Sequence, residues 1–400
     1  MKLKYILAIC IGVSCLTSIA NEMDVKVLTE ELTQGRVLDV YERLEKADPQ
    51  NQDVNIFLTK LNLALNLYAV QIQYEKFGFV NLQSHQTMED VRGKAGTYTL
   101  FSLPAYHILD SLIVVHPNDS RLYKALSDYY YESYLNYSED MPFTPEELLQ
   151  KLENPTRKAM DMGSADFETY FIYGFLLLKK GKYEDALKYL QKSYLLNDQY
   201  GPNLYNLSYA EFALKNYRQS ILNAQKAFYI YSDPSQKTDA LRMVSYGYEM
   251  LGKTDSAVYF LQKGLQLTPT NQQVLEDYLY LAVRHHLPEQ NELVKKILSL
   301  NPQSPEGFNL VINAYHQENG DYKSLLKLLE DLERKYPDDV KALANINFYE
   351  GQLLFQDSVS LAKVKFKKSK LYFSQIYPTT HPIFGIIQDY LDVPEIQLQR

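Results

Sequence analysis

The feature that most constrains this chain is a spacing of 34 residues. Gly174, Tyr183, Ala186 and Ser193 are followed, 34 positions later, by Ser208, Tyr217, Ser220 and Ala227. A period of this length is typical of a helix–turn–helix repeat. One such unit cannot bury its own apolar face, so neighbouring units must stack, and the stack presents an extended concave surface. The spacing therefore predicts an all-α fold with a surface suited to binding.

The clearest unit, residues 167–200, carries large, small and turn-forming residues in a fixed order. The set is Tyr170, Gly174, Gly181, Tyr183, Ala186, Leu190 and Ser193, with Asp198 at its end. This set resembles the pattern of the tetratricopeptide repeat family, in which Pro is usual where Asp198 stands. Units 201–234 and 238–270 keep most of the pattern, weaker copies run to about residue 340, and the likeness is faint before 165. The resemblance implies a right-handed α-solenoid of stacked helix–turn–helix repeats.

Composition shifts and the decay of the repeat divide the chain into four expected segments. They are a signal peptide at 1–20, a degenerate repeat-like helical region with loop insertions at 21–165, the repeat array at 166–339, and a helical pair with a capping helix at 340–400. Inside the second segment we expect one long helix from about Val54 to Glu75, followed by a polar connection from Gly78 to Thr99. Loops of that length are often functional, although an insertion without a role fits equally well.

The first twenty residues have the features of an export signal. Lys2 and Lys4 precede an apolar stretch too short to span a bilayer, and Ser18-Ile19-Ala20 offers small residues for cleavage before Asn21. We therefore expect a periplasmic protein. Cys15 follows Gly12-Val13-Ser14, which fits a bacterial lipobox only in part, so lipidation of Cys15 and an outer-membrane anchor remain an alternative. No later segment has 18 consecutive apolar residues, and we expect no transmembrane helix in the mature chain.

Charge and motif content argue against several classes of function. Without residues 1–20 the chain has 39 basic and 49 acidic residues, a net charge of −10, which disfavours nucleic acid as a partner. Both cysteines, Cys10 and Cys15, lie in the signal segment, and the seven histidines form no HExxH spacing. No nucleophile elbow or phosphate-binding glycine loop stands out. We predict no metal site, no cofactor and no enzymatic activity. The alternative is an enzyme whose site lies in the irregular N-terminal third, near residues 78–99.

The resemblance also implies which residues face the concave groove. At the positions that line the groove in that family the chain places seven residues of interest: Phe171, Phe175, Tyr205, Tyr209, Phe212, Arg242 and Tyr246. Aromatic residues and Arg dominate binding hot spots, so this set predicts contact with an extended or helical peptide. Only Arg242 would suit the carboxylate clamp of some family members, which makes that mode a poor fit. A groove filled by the chain's own C-terminal helix or N-terminal segment is the competing interpretation.

These observations favour a non-enzymatic, exported scaffold that binds a protein or peptide partner through an aromatic concave groove. An outer-membrane lipoprotein that assists envelope assembly or secretion would share the fold and differ in its tether.

Overall fold

The computed structural model describes residues 25–73, 75–94, 96–136 and 141–394. They form two compact units, the first ending at Ala210 and the second beginning at Glu211. The expected signal peptide, its cleavage site and Cys15 lie outside the described residues. The predicted all-α class is confirmed, because almost all regular structure among the described residues is helical and consecutive helices pack as pairs within each unit.

From Val25 onward, the described part of the first unit has three helices, then a small sheet, and continues with helical pairs. Its helices are α1 Val25–Thr33, α2 Val37–Ala47, α3 Val54–Leu63, α4 Met88–Val91, α5 Ala105–Val115, α6 Ser120–Asn136, α7 Pro145–Asp161, α8 Phe167–Lys179 and α9 Tyr183–Leu196. Helix α10, Gly201–Ala213, contains the boundary between the units. The helices of the second unit are α11 Tyr217–Ile230, α12 Pro234–Met250, α13 Thr254–Leu267, α14 Gln272–Arg284, α15 Gln290–Leu300, α16 Pro305–Gln317, α17 Tyr322–Lys335, α18 Val340–Leu354, α19 Val359–Phe373 and α20 Pro382–Asp392.

Local signals set the ends of the repeat helices. Asp166 caps α8 by accepting a hydrogen bond from the backbone N–H of Thr169 at 2.9 Å. Gly181 ends the same helix with φ +68°, and the Lys182 N–H donates back to the Leu177 carbonyl at 2.9 Å. The chain then reverses into α9. Lys215 takes the same left-handed conformation, with φ +64°, at the corresponding turn before α11.

The helices of a pair approach closely where the repeat places a small residue. A Cβ built on Gly174 of α8 would lie 2.6 Å from Leu190 Cδ2 of α9, and Leu190 is fully buried. Gly351 of α18 stands in the same relation to the buried ring of Phe366 in α19, at 2.8 Å. These contacts explain why the sequence keeps small residues at fixed spacing: a larger residue would force the helices apart.

The region after α3 differs from the sequence prediction. One helix from Val54 to Glu75 was expected, but α3 ends at Leu63, a π-helical turn covers Ala64–Tyr68, and three short strands follow. Strands β1 Gln71–Gln73, β2 Lys76–Phe79 and β3 Thr99–Ser102 form an antiparallel sheet in the order β1-β2-β3. The expected polar connection thus contains strand residues at both ends and α4 in between.

Aromatic packing holds this sheet against α2. The buried Tyr41 of α2 stacks on Phe79 of β2 with ring centroids 4.1 Å apart, and Phe101 of β3 lies 4.8 Å from the same Tyr41 ring. Asn81 adds a hydrogen bond to Asp39 at 2.7 Å. The inserted segment is therefore a packed part of the first unit and not an open loop.

Helix α20 covers the last helical pair of the second unit. Ile387 is fully buried, and Tyr390 stacks on Phe366 of α19 with ring centroids 4.4 Å apart. A helix near this position was expected as a cap, from about Pro382 to Leu391. The apolar face of α20 covers the apolar surface that the final helical pair would otherwise expose to solvent, as the last element of a stacked array must do.

Candidate functional site

The first unit contains a pocket of about 470 Å³ between α3, α6 and α8. Its lining combines apolar, aromatic and charged side chains: Leu58, Leu61, Asn62, Leu65, Arg121, Lys124, Ala125, Asp128, Tyr131, Glu132, Ser164, Asp166, Glu168, Phe171, Ile172 and Tyr200. We call this cavity the α6 pocket, since α6 supplies its largest share. Its size and mixed lining are those of pockets that bind small molecules or single side chains.

One wall of the α6 pocket is aromatic and rigid. Phe171 is only 2% exposed, and its ring meets Tyr131 and Tyr200 edge-on at centroid distances of 5.7 and 5.0 Å. Ile172 beside it is equally buried. Edge-to-face contacts of this kind fix ring orientation, so the wall is formed before any ligand arrives.

The lining also contains a cluster of charges around Lys124. Its ammonium lies 2.6 Å from Asp128 Oδ2, 3.2 Å from Asp166 Oδ2 and 3.9 Å from Glu168 Oε2. Lys124, Asp128 and Glu132 follow one another at intervals of four, which puts them on one face of α6. Asp166 and Glu168 come from the start of α8. The cluster therefore exists only because two separate helices converge.

Burial and mutual repulsion change the protonation of this cluster. Desolvation raises the pKa of Glu132 to about 7, although a hydrogen bond from Asn136 acts against the shift. Desolvation likewise raises the pKa of Glu168 to about 7, against the attraction of Lys124 and with help from neighbouring carboxylates. The pKa of Asp128 is also raised by desolvation, despite Lys124. Four carboxylates thus share a space in which their negative charge is poorly compensated.

The groove residues predicted in the first unit occupy different environments. Phe171 lines the α6 pocket, whereas Phe175 is half-buried against the rings of Tyr131 and Tyr134, with the Lys179 ammonium 5.3 Å from its ring centre. Tyr205 is half-buried on α10.

Tyr209 is 43% exposed and meets only the edge of Tyr183, at 6.2 Å, among the ring contacts that the structure describes for it. It is thus the most accessible of the first unit's predicted groove residues.

The predicted groove residues of the second unit are engaged with one another and with neighbouring helices. Phe212 packs near Tyr217 and Tyr246, with centroids 5.4 and 6.2 Å away. The Arg242 guanidinium donates to Asp277 at 2.5 Å, to Gln273 at 2.7 Å and to the Tyr246 hydroxyl at 3.1 Å. Arg242 thus serves an internal network that links α12 to α14, and its role toward a partner remains a prediction.

Sequence reasoning missed the charged half of the α6 pocket. The spacing of Lys124, Asp128 and Glu132 was a visible signal, because residues four apart on a helix share a face. The positions of Asp166 and Glu168 relative to that face depend on how α6 and α8 pack, which spacing alone does not give. The pairing of Lys365 on α19 with Glu350 at 2.5 Å and Glu333 at 3.1 Å likewise depends on how neighbouring helices pack.

Across residues 25–73, 75–94, 96–136 and 141–394, no three His, Cys, Asp or Glu side chains come together in a way that could hold a metal ion. Over the same ranges, no helix is both long and apolar enough to cross a membrane.

Comparison with known proteins gives structural likenesses at low identity. No family model matches the sequence, and no curated protein matches it. A tetratricopeptide repeat protein from Parabacteroides merdae ATCC 43184 is 16% identical with a TM-score of 0.41, over 67% of this chain and 97% of that one. Pseudomonas aeruginosa pilF is 14% identical with a TM-score of 0.39, over 55% and 96%.

A third likeness is to YrrB, described as a TPR protein with an unusual peptide-binding site. It is 18% identical with a TM-score of 0.34, over 47% of this chain and 95% of that one. These likenesses concern the fold alone. The chain is similar to these tetratricopeptide repeat proteins in its paired helices.

Proposed function

We propose that this chain is an exported, non-enzymatic scaffold that binds a segment of a partner protein, with the α6 pocket as the anchor point. The observation that carries the proposal is the pocket itself: about 470 Å³, with a preformed aromatic wall at Phe171. Concave, preformed sites with an aromatic anchor are where binding energy concentrates in interfaces.

The exposed tyrosine of α10 supports a second point of contact. Tyr209 presents 43% of its surface to solvent, and Tyr205 lies one turn earlier on the same helix. Tyrosine offers a large rigid ring and a hydroxyl at low entropic cost, which suits it to binding surfaces. A partner segment anchored in the α6 pocket and extended along α10 would use both features.

A peptide library displayed on phage, panned against the purified chain, tests the proposal. Ala125 lines the pocket from α6, so Ala125→Phe places a ring inside the cavity. We expect this variant to lose the selected peptides. Gln150→Phe, at an exposed position of α7, is the matched control and should keep them. Selection of no peptide, or of peptides that bind both variants equally, would refute the pocket as the anchor.

Export and its mode belong to the same proposal. The proposed mature N-terminus is Asn21, and the alternative is a lipidated Cys15 that tethers the scaffold to the outer membrane. Mass spectrometry of the protein isolated from its native cells separates the two. A chain beginning at Asn21 supports a periplasmic scaffold, a diacylated Cys15 supports the tether, and an intact Met1 contradicts export.

A further inference from the structure

The α6 pocket, as the structure describes it, has more negative than positive charge. Its lining contains four carboxylates and two cations, a formal charge of −2 when all are ionised. Both cations are already engaged. Arg121 binds Asp119 at 2.6 Å and Asn55 at 2.9 Å, and Lys124 binds Asp128 and Asp166. The protein's own cations therefore leave part of the acidic charge uncompensated.

The carboxylate oxygens of this cluster accordingly accept few hydrogen bonds. Asp128 directs Oδ2 to Lys124, but its Oδ1 is shielded from solvent and has no hydrogen-bond partner within the part of the chain that the structure describes. Glu168 reaches Lys124 only at 3.9 Å. Anions held in this way are destabilised by desolvation, and a cation entering the pocket would reverse that cost.

The aromatic wall favours the same kind of ligand. Ring faces attract ammonium and guanidinium groups, most strongly where water is partly excluded. The chain already uses this contact next to the pocket, where the Lys179 ammonium lies 5.3 Å from the centre of the Phe175 ring. Apolar side chains from α3, including Leu58 and Leu61, supply a surface for an aliphatic stem.

We propose that the α6 pocket binds the cationic end of a Lys or Arg side chain carried by the partner segment. This inference rests on the proposed function and specifies its ligand. The carboxylates of α6 and α8 receive the cationic head, and the leucines of α3 with Tyr131, Phe171 and Tyr200 enclose the stem.

The test uses two small probes of equal length, n-hexylammonium and n-hexanol, titrated into the purified chain by ligand-observed NMR. At pH 8 we expect the ammonium to bind about tenfold more tightly than the alcohol, as a partly desolvated cation–π and ion-pair contact implies. Equal binding of the two probes would overturn the inference.

A pair of double variants localises the effect. Glu132→Gln with Glu168→Gln removes two pocket charges without changing shape, and we expect the preference for the ammonium to disappear. Glu146→Gln with Glu184→Gln removes two exposed charges from other helices of the same unit and should leave the preference intact. Circular dichroism melts confirm that both proteins are folded. A preference that survives the first double variant places the binding elsewhere and refutes the inference.

The dependence on pH gives an independent measurement. The titratable groups facing the pocket are Arg121, Lys124, Asp128, Tyr131 and Glu132 on α6, Asp166 and Glu168 at α8, and Tyr200; α3 contributes none to the described lining. Desolvation raises the pKa values of Glu132 and Glu168 to about 7 and also raises the pKa of Asp128. The ammonium should therefore bind several-fold more weakly at pH 6 than at pH 8, and binding of the alcohol should not change.

Failure of this inference is distinguishable from failure of the proposed function. Phage peptides that depend on an open pocket but tolerate Lys→norleucine replacement would support the anchor and exclude the cation. Selected peptides that lose binding on that replacement support both.

Discussion

Arg284 at the end of α14 donates two hydrogen bonds, each 2.8 Å, to the two carboxylate oxygens of Glu318, which lies 34 residues further along the chain. The same guanidinium also pairs with Glu249, 35 residues earlier. Arg242 and Asp277 repeat this relationship across 35 residues. The period of the sequence thus appears in the second unit as ion pairs that join successive repeats from α12 to the end of α16.

The Arg284–Glu318 pair should contribute measurably but modestly to stability. A double-mutant cycle with Arg284→Met and Glu318→Gln is expected to give a coupling free energy of about 0.5–1 kcal/mol, because the pair is bidentate but the Arg284 side chain is 45% exposed. Urea denaturation of the four proteins measures it. The exposed pair Arg334–Asp331, within one helix, is the control and should couple by about 0.3 kcal/mol or less. Equal coupling in the two pairs would contradict the inter-repeat role.

Acid should weaken the same pair. The hydrogen bonds from Arg284 lower the pKa of Glu318 below its ordinary value of 4.5. A carboxyl whose pKa is lowered on folding adds stability above its unfolded pKa and loses it as pH falls through the folded pKa. We expect the difference in unfolding free energy between the wild-type chain and Glu318→Gln to shrink below about pH 4. A difference that stays constant from pH 7 to pH 3 would be inconsistent with this ion pair.

Because α8 and α9 pack closely at Gly174, we expect even the small substitution Gly174→Ala to lower the stability of the chain. Gly174→Ala would put a methyl group 2.6 Å from Leu190 Cδ2, and overpacking of this kind costs about 1–3 kcal/mol, more than the gain of about 1 kcal/mol in helix propensity. Gly264→Ala is the control, since its nearest neighbour is Thr238 Cγ2 at 3.5 Å. Thermal melts should show Gly174→Ala less stable than the wild-type chain and Gly264→Ala equal or more stable. The reverse order would refute the packing argument.

Because Glu350 is buried, we expect the free energy of unfolding to fall as the pH rises from about 5 to 7. Its side chain is fully buried in α18, and desolvation raises its pKa to about 7 in spite of Lys365. A carboxyl whose pKa is raised on folding contributes most below its unfolded pKa, and that contribution is lost as pH rises through the folded value. Titration of Glu350 should therefore reduce the unfolding free energy by up to about 1.4 kcal/mol per pH unit between pH 5 and pH 7.

The measurement compares denaturant midpoints at pH 5.5 and 8. Glu350→Gln should remove part of the difference, because glutamine has no proton to lose. Glu292→Gln, at a side chain that is 77% exposed, is the control and should leave the difference unchanged. The same pH dependence in the wild-type chain and in Glu350→Gln would mean that this carboxyl does not titrate near neutrality.

The sequence predicts an element of the fold well where the pattern of residue types that marks it extends over many residues. The repeat helices follow from a period repeated over a hundred residues, with residues such as Gly174 and Gly181 marking contacts and turns. The strands of three or four residues around Phe79 are too short to show alternation, and their partners are set by packing on Tyr41. The end of α3 at Leu63 could not be predicted either, because the π-helical turn and the strands that follow it are too short to leave a pattern in the sequence.

The aromatic and charged parts of the candidate site also differ in how far the sequence predicts them. The repeat predicts Phe171 as a groove residue, and in the structure its side chain lines the α6 pocket. The charged half of the α6 pocket needs the convergence of α6 with α8, and α6 lies outside the regular repeats. Arg242 illustrates a different limit: its position in the repeat is regular, but its pairing with Asp277 depends on a residue of α14, which belongs to the following helical pair.

The tyrosines of α10 provide the last prediction, because they test whether binding extends beyond the α6 pocket. Tyr205→Ala with Tyr209→Ala should weaken binding of pocket-selected peptides by about tenfold or more while helical content stays intact. Truncation of an aromatic hot spot costs 2 kcal/mol or more, whereas a side chain that is 43% exposed, as Tyr209 is, adds little to folding. Tyr229→Ala, at a side chain that is 78% exposed on α11, is the control and should leave affinity unchanged. Fluorescence anisotropy of a labelled peptide measures all three proteins. Unchanged affinity in the double variant, together with loss of binding in Ala125→Phe, would confine binding to the α6 pocket and exclude a contribution from Tyr205 and Tyr209.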